Sequence, residues 1–373
     1  MVSSRRNSDG KALRFRIVSL ALLLVIYSGF VQGNQLRNRL QAAMTAYNST
    51  ATQTNEARCP VIMGDFVLPF LTTLMSNMDA FKTIELPPFL KTRYPQSPGN
   101  LQVRQYLKQT FQSLDWNVEE DISIQTTPFG PVQFVNVIAT QQPSASTRIV
   151  LACHYDSKLF PLGYIGAMDS AVPCAILVNI ARQLNVLLRF LESDITLQMV
   201  FFDGEEALWV PSPTDSLYGS RNLATVWQNS ADTNVPTNNK LGTIGTFILL
   251  DLIGHPSTSF QRYFPETDYL YTQLMNLETC LRRTSLLNTR SDGLLPLFQD
   301  SRRLTDISDD HVPFKEKGVP IMHLITFPFP PTWHTMLDVE ATMDYQVIDD
   351  ISRILRVFLT NLIVLGAIQN PLG

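Results

Sequence analysis

The chain has 373 residues, 45% of them hydrophobic and 17% charged, with a net charge of -4. That much apolar material can fill a large buried core and excludes wholesale disorder. The mild acidity, with no basic stripe interleaved with aromatics, argues against nucleic acid as a partner and suits a small neutral or peptide ligand.

At the N-terminus, Arg5, Arg6, Lys11, Arg14 and Arg16 precede an uncharged apolar run from Ile17 to Val31, followed by Gln32 and Gly33. This order of basic flank, apolar run and small residues reads as an export signal. At about 15 residues the run is shorter than the roughly 20 needed to span a bilayer. Residues 1–33 are therefore expected to be a cleaved signal peptide on a secreted protein that keeps no membrane contact. A retained signal anchor in the Golgi membrane is the alternative. Export would place Cys59, Cys153, Cys174 and Cys280 in an oxidising compartment. Cys153 with Cys174 would close a short loop and is the expected disulfide, while Cys59 and Cys280 pair or stay free. Residues 34–60 are polar and without period, an exposed segment that includes the sequon Asn48-Ser49-Thr50. Residues 61–373 read as one domain, with no internal repeat or low-complexity tract.

Within that domain a turn cluster, Tyr94 to Gly99, is followed by Leu101, Tyr106, Leu107, Phe111 and Leu114 at helical spacing. Apolar runs of strand length then cover Phe134 to Ala139, Arg148 to Tyr155, Leu197 to Phe202, Thr246 to Leu252 and Pro320 to Ile325. Several are apolar on both faces, as in a sheet covered by helices on each side. Helical patterns run from Ala171 to Phe190 and from Val347 to Leu365. The alternation predicts an α/β fold: a three-layer sandwich with a mostly parallel, mixed central sheet flanked by helices.

Acids and histidines gather at the predicted strand ends, where α/β sheets bind ligands. His154 and Asp156 follow the second run, Asp203 to Glu206 the third, Asp251 ends the fourth and His323 lies in the fifth. Three carboxylates within Asp203-Gly204-Glu205-Glu206 repel one another unless they share a cation or proton, or simply cap the next helix. Successive side chains of extended chain point opposite ways, so Glu205 and Glu206 can take different tasks. Asp169, just before a helix, is by itself an N-cap candidate. His334 follows the proline-rich stretch Phe327-Pro328-Phe329-Pro330-Pro331, and is either a ligand or a loop residue. His323, in an apolar strand, reads equally well as a satisfied core histidine.

Seven segments occur in one order: Ala152 to Lys158, Asp169 to Ala175, Phe201 to Ala207, Asp215 to Ser220, Leu250 to Gly254, Asp309 to Phe314 and Trp333 to Thr335. Together they resemble the animal glutaminyl-peptide cyclotransferases, relatives of zinc aminopeptidases, over roughly residues 90 to 365. The resemblance implies one zinc per chain held by Asp169, Glu206 and His334, and a Cys153–Cys174 disulfide. It implies Glu205 as the proton-transferring catalytic base, with Asp251 as a second catalytic acid. Asp309, Ser170 and His323 are placed in an adjoining proton network, and Trp333 and Phe329 as walls for the glutamine side chain, unless both merely pack the loop. The implied reaction is cyclisation of N-terminal glutamine, and by extension glutamate, of peptides to pyroglutamate, by a monomer. Three O, O and N ligands leave a tetrahedral position open, as catalytic zinc requires.

Two positions depart from the family's pattern. Pro211 stands where relatives carry a tryptophan, with Trp209 two residues earlier, and Met168 replaces a threonine before Asp169. Two rival readings follow: a secreted two-zinc aminopeptidase, since His154-x-Asp156 has the spacing that starts such a site, and a catalytically weak peptide-binding paralogue.

Overall fold

The computed structural model describes residues 67–190, 193–235, 239–288 and 296–365. The expected export segment, the Asn48 sequon and Cys59 lie outside them. Short helical turns occupy 67–89 and lead to helix α1, Pro98–Ser113. Ser97 caps α1 by accepting from Asn100 N at 3.1 Å, and Pro98 stands in the first turn, where its missing N–H costs nothing.

A hairpin follows, β1 (Asn117–Thr127) and β2 (Gly130–Thr140), paired antiparallel with Phe129 at its tip. Next come β3 (Thr147–His154), α2 (Val172–Phe190), β4 (Ile195–Phe202), α3 (Tyr218–Asn229) and β5 (Ile244–Asp251). A small parallel pair, β6 (Phe260–Arg262) with β7 (Phe298–Arg302), flanks helix α4 (Asp268–Arg283). Helix α5 (Val312–Lys315), strand β8 (Ile321–Ile325) and helix α6 (Tyr345–Leu365) complete the described chain.

The main sheet has the order β1-β2-β4-β3-β5-β8. Strands β4, β3, β5 and β8 are parallel, and the β1–β2 hairpin joins antiparallel at one edge, so the sheet is mixed and mostly parallel as predicted. Strand alternation splits the core in two. Ile149, Leu151, Met199, Phe201, Ile248 and Leu250 pack on the face that meets α1, α2, α4 and α6. Val150, Ala152, Val200, Phe202, Phe247 and Leu249 pack on the other, against α3 and Phe314 of α5. Both faces are dry, which is why the parallel strands read as unbroken apolar runs.

All five predicted strand runs are strands, within four residues at each end, and the three predicted helices are helices. Strand β1 escaped prediction because Glu119, Glu120 and Asp121 make it look like loop; as an edge strand it keeps such charges in water. Helices α3 and α4 were also unpredicted. Their buried stripes, such as Leu270, Leu274, Leu277 and Leu281, are diluted by polar residues facing out.

Candidate active site

Parallel strands end together, so β3, β4, β5 and β8 deliver their C-terminal side chains to one edge of the sheet. His154 ends β3 opposite Phe202, and Asp251 ends β5 opposite Ile325. Beyond β4 the chain turns at Gly204, whose φ of 76° and close approach to the Phe134 ring leave no room for a Cβ. Asp156 then pins the turn, its two oxygens accepting from the Glu205 and Glu206 amides at 3.2 and 3.3 Å.

The three acids of this turn separate into three tasks. Asp203 points into the fold and accepts from Asn100 Nδ2 at 2.8 Å and Val135 N at 3.0 Å. Burial, then the neighbouring Asp156, pushes its pKa up to about 7. Glu206 is buried among the candidate ligands, and Glu205 stays half-buried beside them. Burial, then the charges of Glu206, Asp309 and Asp310, raises the Glu205 carboxyl well above its usual range against the pull of His154.

Asp169 is not a helix cap. It sits in a kink before α2 with φ −117° and ψ 77°, followed by a cis peptide to Ser170. Its Oδ1 lies 3.1 Å from His154 Nε2, and its Oδ2 lies 3.3 Å from His334 Nε2 and 3.1 Å from the Tyr164 hydroxyl. His334 enters from the loop after the prolines, in the left-handed region at φ 57°, with its ring stacked 4.0 Å from that of Trp333.

His334 Nε2 also lies 3.6 Å from Glu206 Oε1, and ligand atoms of Asp169, Glu206 and His334 all fall within 4.8 Å of one another. A tetrahedral zinc with bonds of about 2.0–2.1 Å holds its ligands about 3.3–3.4 Å apart. The three residues therefore fit such an ion. Glu206 Oε1 supports the fit: it is buried without a hydrogen-bond partner, while Oε2 accepts from Lys158 at 2.9 Å. The trio recruits positive charge. Burial disfavours a charged His334, yet Asp169 and Glu206 push its pKa up to about 9.

Two further groups among the described residues bring together possible ligands. His154, Asp169 and Asp251 share Asp169 with the first trio; His154 Nε2 lies 3.4 Å from Asp251 Oδ1, which already accepts from Ser170 Oγ at 2.7 Å. Burial, opposed by the His154 contact and reinforced by Asp309 and Asp169, pushes the Asp251 pKa up to about 6. In the third group Asp309 Oδ2 is already bonded to His323 Nε2 at 2.8 Å, and the rings of His311 and His323 pack 4.4 Å apart. His323 is thus a buried histidine satisfied by the Asp309 carboxylate, which leaves both readings of it standing.

Phe329 packs 4.4 Å from Trp333, making an aromatic wall beside His334. Cys153 and Cys174 form the expected disulfide, tying the end of β3 to α2. Cys280 is disulfide-bonded as well. Around the site stands an exposed aromatic rim. Trp209, 63% exposed, meets Phe129 of the hairpin tip and Phe160 edge-on, each at 6.0 Å. Its loop is rigid, because the Asp215 carboxylate accepts from the amides of Leu208, Trp209 and Val210 at 2.9–3.0 Å. Lys158, Tyr164, Asp338 and Arg93 are contributors that the sequence does not mark. Each acts across more than 40 residues of chain on a ligand or its loop, so no local pattern marks it.

Comparison with known proteins agrees with this geometry. The model of peptidase family M28 matches residues 136–359. A glutaminyl-peptide cyclotransferase of Bothrops jararaca is 39% identical over 97% of this chain and 100% of its own length. One of Bos taurus is 43% identical over 74% of this chain and 79% of its own. The crystal structure of Macrostomum lignano glutaminyl cyclase is 37% identical and superposes with a TM-score of 0.75, covering 80% of this chain and 93% of that one. On these grounds the chain belongs to the M28 family and, within it, to the glutaminyl-peptide cyclotransferases, a family of acyltransferase enzymes.

Proposed function

We propose that this enzyme cyclises N-terminal glutamine of secreted peptides and proteins to pyroglutamate, using one zinc ion held by Asp169, Glu206 and His334. The observation that carries the metal reading is the buried Glu206 Oε1, which has no hydrogen-bond partner and lies 3.6 Å from His334 Nε2, itself 3.3 Å from Asp169 Oδ2. When bound, zinc supplies Lewis-acid polarisation of the substrate's γ-carboxamide carbonyl.

The chain's own residues supply the rest. Trp333 and Phe329 wall the glutamine side chain, the apolar lining usual in small-ligand pockets. Glu205 accepts a proton from the α-amine as its nitrogen bonds to the side-chain carbonyl carbon. Glu205 then returns the proton to the departing nitrogen as that carbon–nitrogen bond breaks, so ammonia leaves with no net proton consumed. Asp251, held by Ser170 and lying beside His154, orients the amine and shares protons with the Asp309–His323 pair. Cleavage of residues 1–33 and secretion complete the reading.

A second reading, a two-zinc aminopeptidase, is favoured by the shared Asp169 in the His154–Asp169–Asp251 group. Metal content and products separate the two. One zinc per chain with ammonia released from a glutaminyl dipeptide supports the cyclase. Two tightly bound zincs with release of free amino acids would overturn it.

A further inference from the structure

Asp169 and His334 come from loops 165 residues apart in the chain, and a metal site needs their relative position fixed to a few tenths of an ångström. The trio itself supplies no such fixation. What joins the two loops is Asp338, four residues beyond His334. Its main-chain carbonyl accepts from Ala167 N at 3.2 Å, and its Oδ1 accepts from Met168 N at 2.8 Å. Its Oδ2 lies 3.1 Å from the Tyr164 hydroxyl, which lies at the same distance from Asp169 Oδ2. Asp338 and Tyr164 are each 1% exposed. The far side of the Asp169 loop is closed by the buried Arg93 guanidinium, which donates to the carbonyls of Ile165, Gly166 and Asp169.

From this geometry we propose that Tyr164 and Asp338 are positioning residues that clamp the Asp169 loop to the His334 loop. They hold Asp169 Oδ2, the oxygen nearest His334, aimed at the metal. The inference rests on the metal reading of Asp169, Glu206 and His334. Tyr164 is the cleaner probe, because its hydroxyl is neutral: removing it takes away orientation without changing the charge around the ion. Arg93 and the Met168 and Ala167 amides still hold the loop without it, so the fold does not depend on that one oxygen.

The test is metal affinity, measured by competition with a chromophoric chelator using zinc and, for its visible spectrum, cobalt(II). Wild type, Tyr164→Phe and Asp338→Asn are compared, together with the unfolding temperatures of the metal-free proteins. Tyr164→Phe is expected to bind zinc about 10- to 100-fold more weakly, the usual effect of losing a hydrogen bond to a ligand. Its metal-free unfolding should match wild type, its cobalt spectrum should change in the visible bands, and its turnover should recover at saturating metal. Asp338→Asn should weaken metal in the same direction. Equal affinities and spectra in all three proteins, with wild type binding one ion, would overturn the clamp and leave the metal reading standing. No metal uptake by wild type would overturn both.

Discussion

At the floor of the site neighbours hold the polar groups in place: Glu206 is held by Lys158, Asp169 by His154 and Tyr164, and the Glu205 and Glu206 amides by Asp156. At the rim, the rings of Phe129 and Phe160 meet that of Trp209 edge-on and all three are exposed, with the Trp209 loop stiffened by Asp215. The floor places charge, where misplacement of an ångström or a lost partner costs orders of magnitude. The rim offers area, where each ring contributes about 1 kcal/mol and substitutions are tolerated. The departures at Pro211 and Met168 fit this division. Pro211 is exposed and belongs to the rim. Met168 is buried, but it meets Asp338 through its main-chain N–H, which any residue except proline supplies.

Experiments can break this contrast, beginning at the floor. Removing metal with a chelator, or Glu206→Ala, should lower ammonia release by about 10³-fold or more, since Lewis-acid polarisation is worth several kcal/mol. Zinc should restore the chelated wild type and not the variant; undiminished activity after complete metal removal would contradict the role given to the trio. Glu205→Gln should cost about 10²- to 10⁴-fold in kcat, the range for general acid–base catalysis. It should keep its metal content, which separates proton transfer from ligation.

The rim should respond more weakly and in KM. For glutaminyl peptides with a bulky apolar second residue, Trp209→Ala is expected to raise KM about fivefold, near 1 kcal/mol, with kcat unchanged. With glycine as the second residue the effect should vanish. A fall in kcat of orders of magnitude would instead make Trp209 part of the floor.

The smallest effect lies outside both regions. Asp350 is buried near Arg282 and accepts from Asn288 N at 2.8 Å, and burial pushes its pKa up to about 6. A raised carboxyl binds its proton more tightly in the folded state. Its stabilisation is therefore full below about pH 4 and is lost as pH rises through 6. Denaturant unfolding between pH 4 and 8 should show a flatter profile for Asp350→Asn than for wild type, with activity unaffected.

Much of this architecture could be read from the chain. Strands buried on both faces leave uninterrupted apolar runs, so β3, β4, β5 and β8 were legible, and their ends located the site. Strand β1 was not, because an edge strand owes its place to its neighbour β2 rather than to its own composition. The candidate ligands were only partly legible. Asp169 has the sequence context of an N-cap, but a kinked backbone, contacted by Arg93, Tyr164 and Asp338 from elsewhere in the chain, turns it toward His154 and His334.

The sequence by itself determined the three-layer sandwich, the ordered segments that mark the family, and the list of acids and histidines available for chemistry. These follow from local composition and spacing, which one chain carries in full. Only the tertiary structure decided which oxygen each candidate ligand presents, that Glu206 Oε1 has no hydrogen-bond partner, and what joins the Asp169 loop to the His334 loop. Those are relations across 48 to 174 residues, made by hydrogen bonds whose partners no local pattern links.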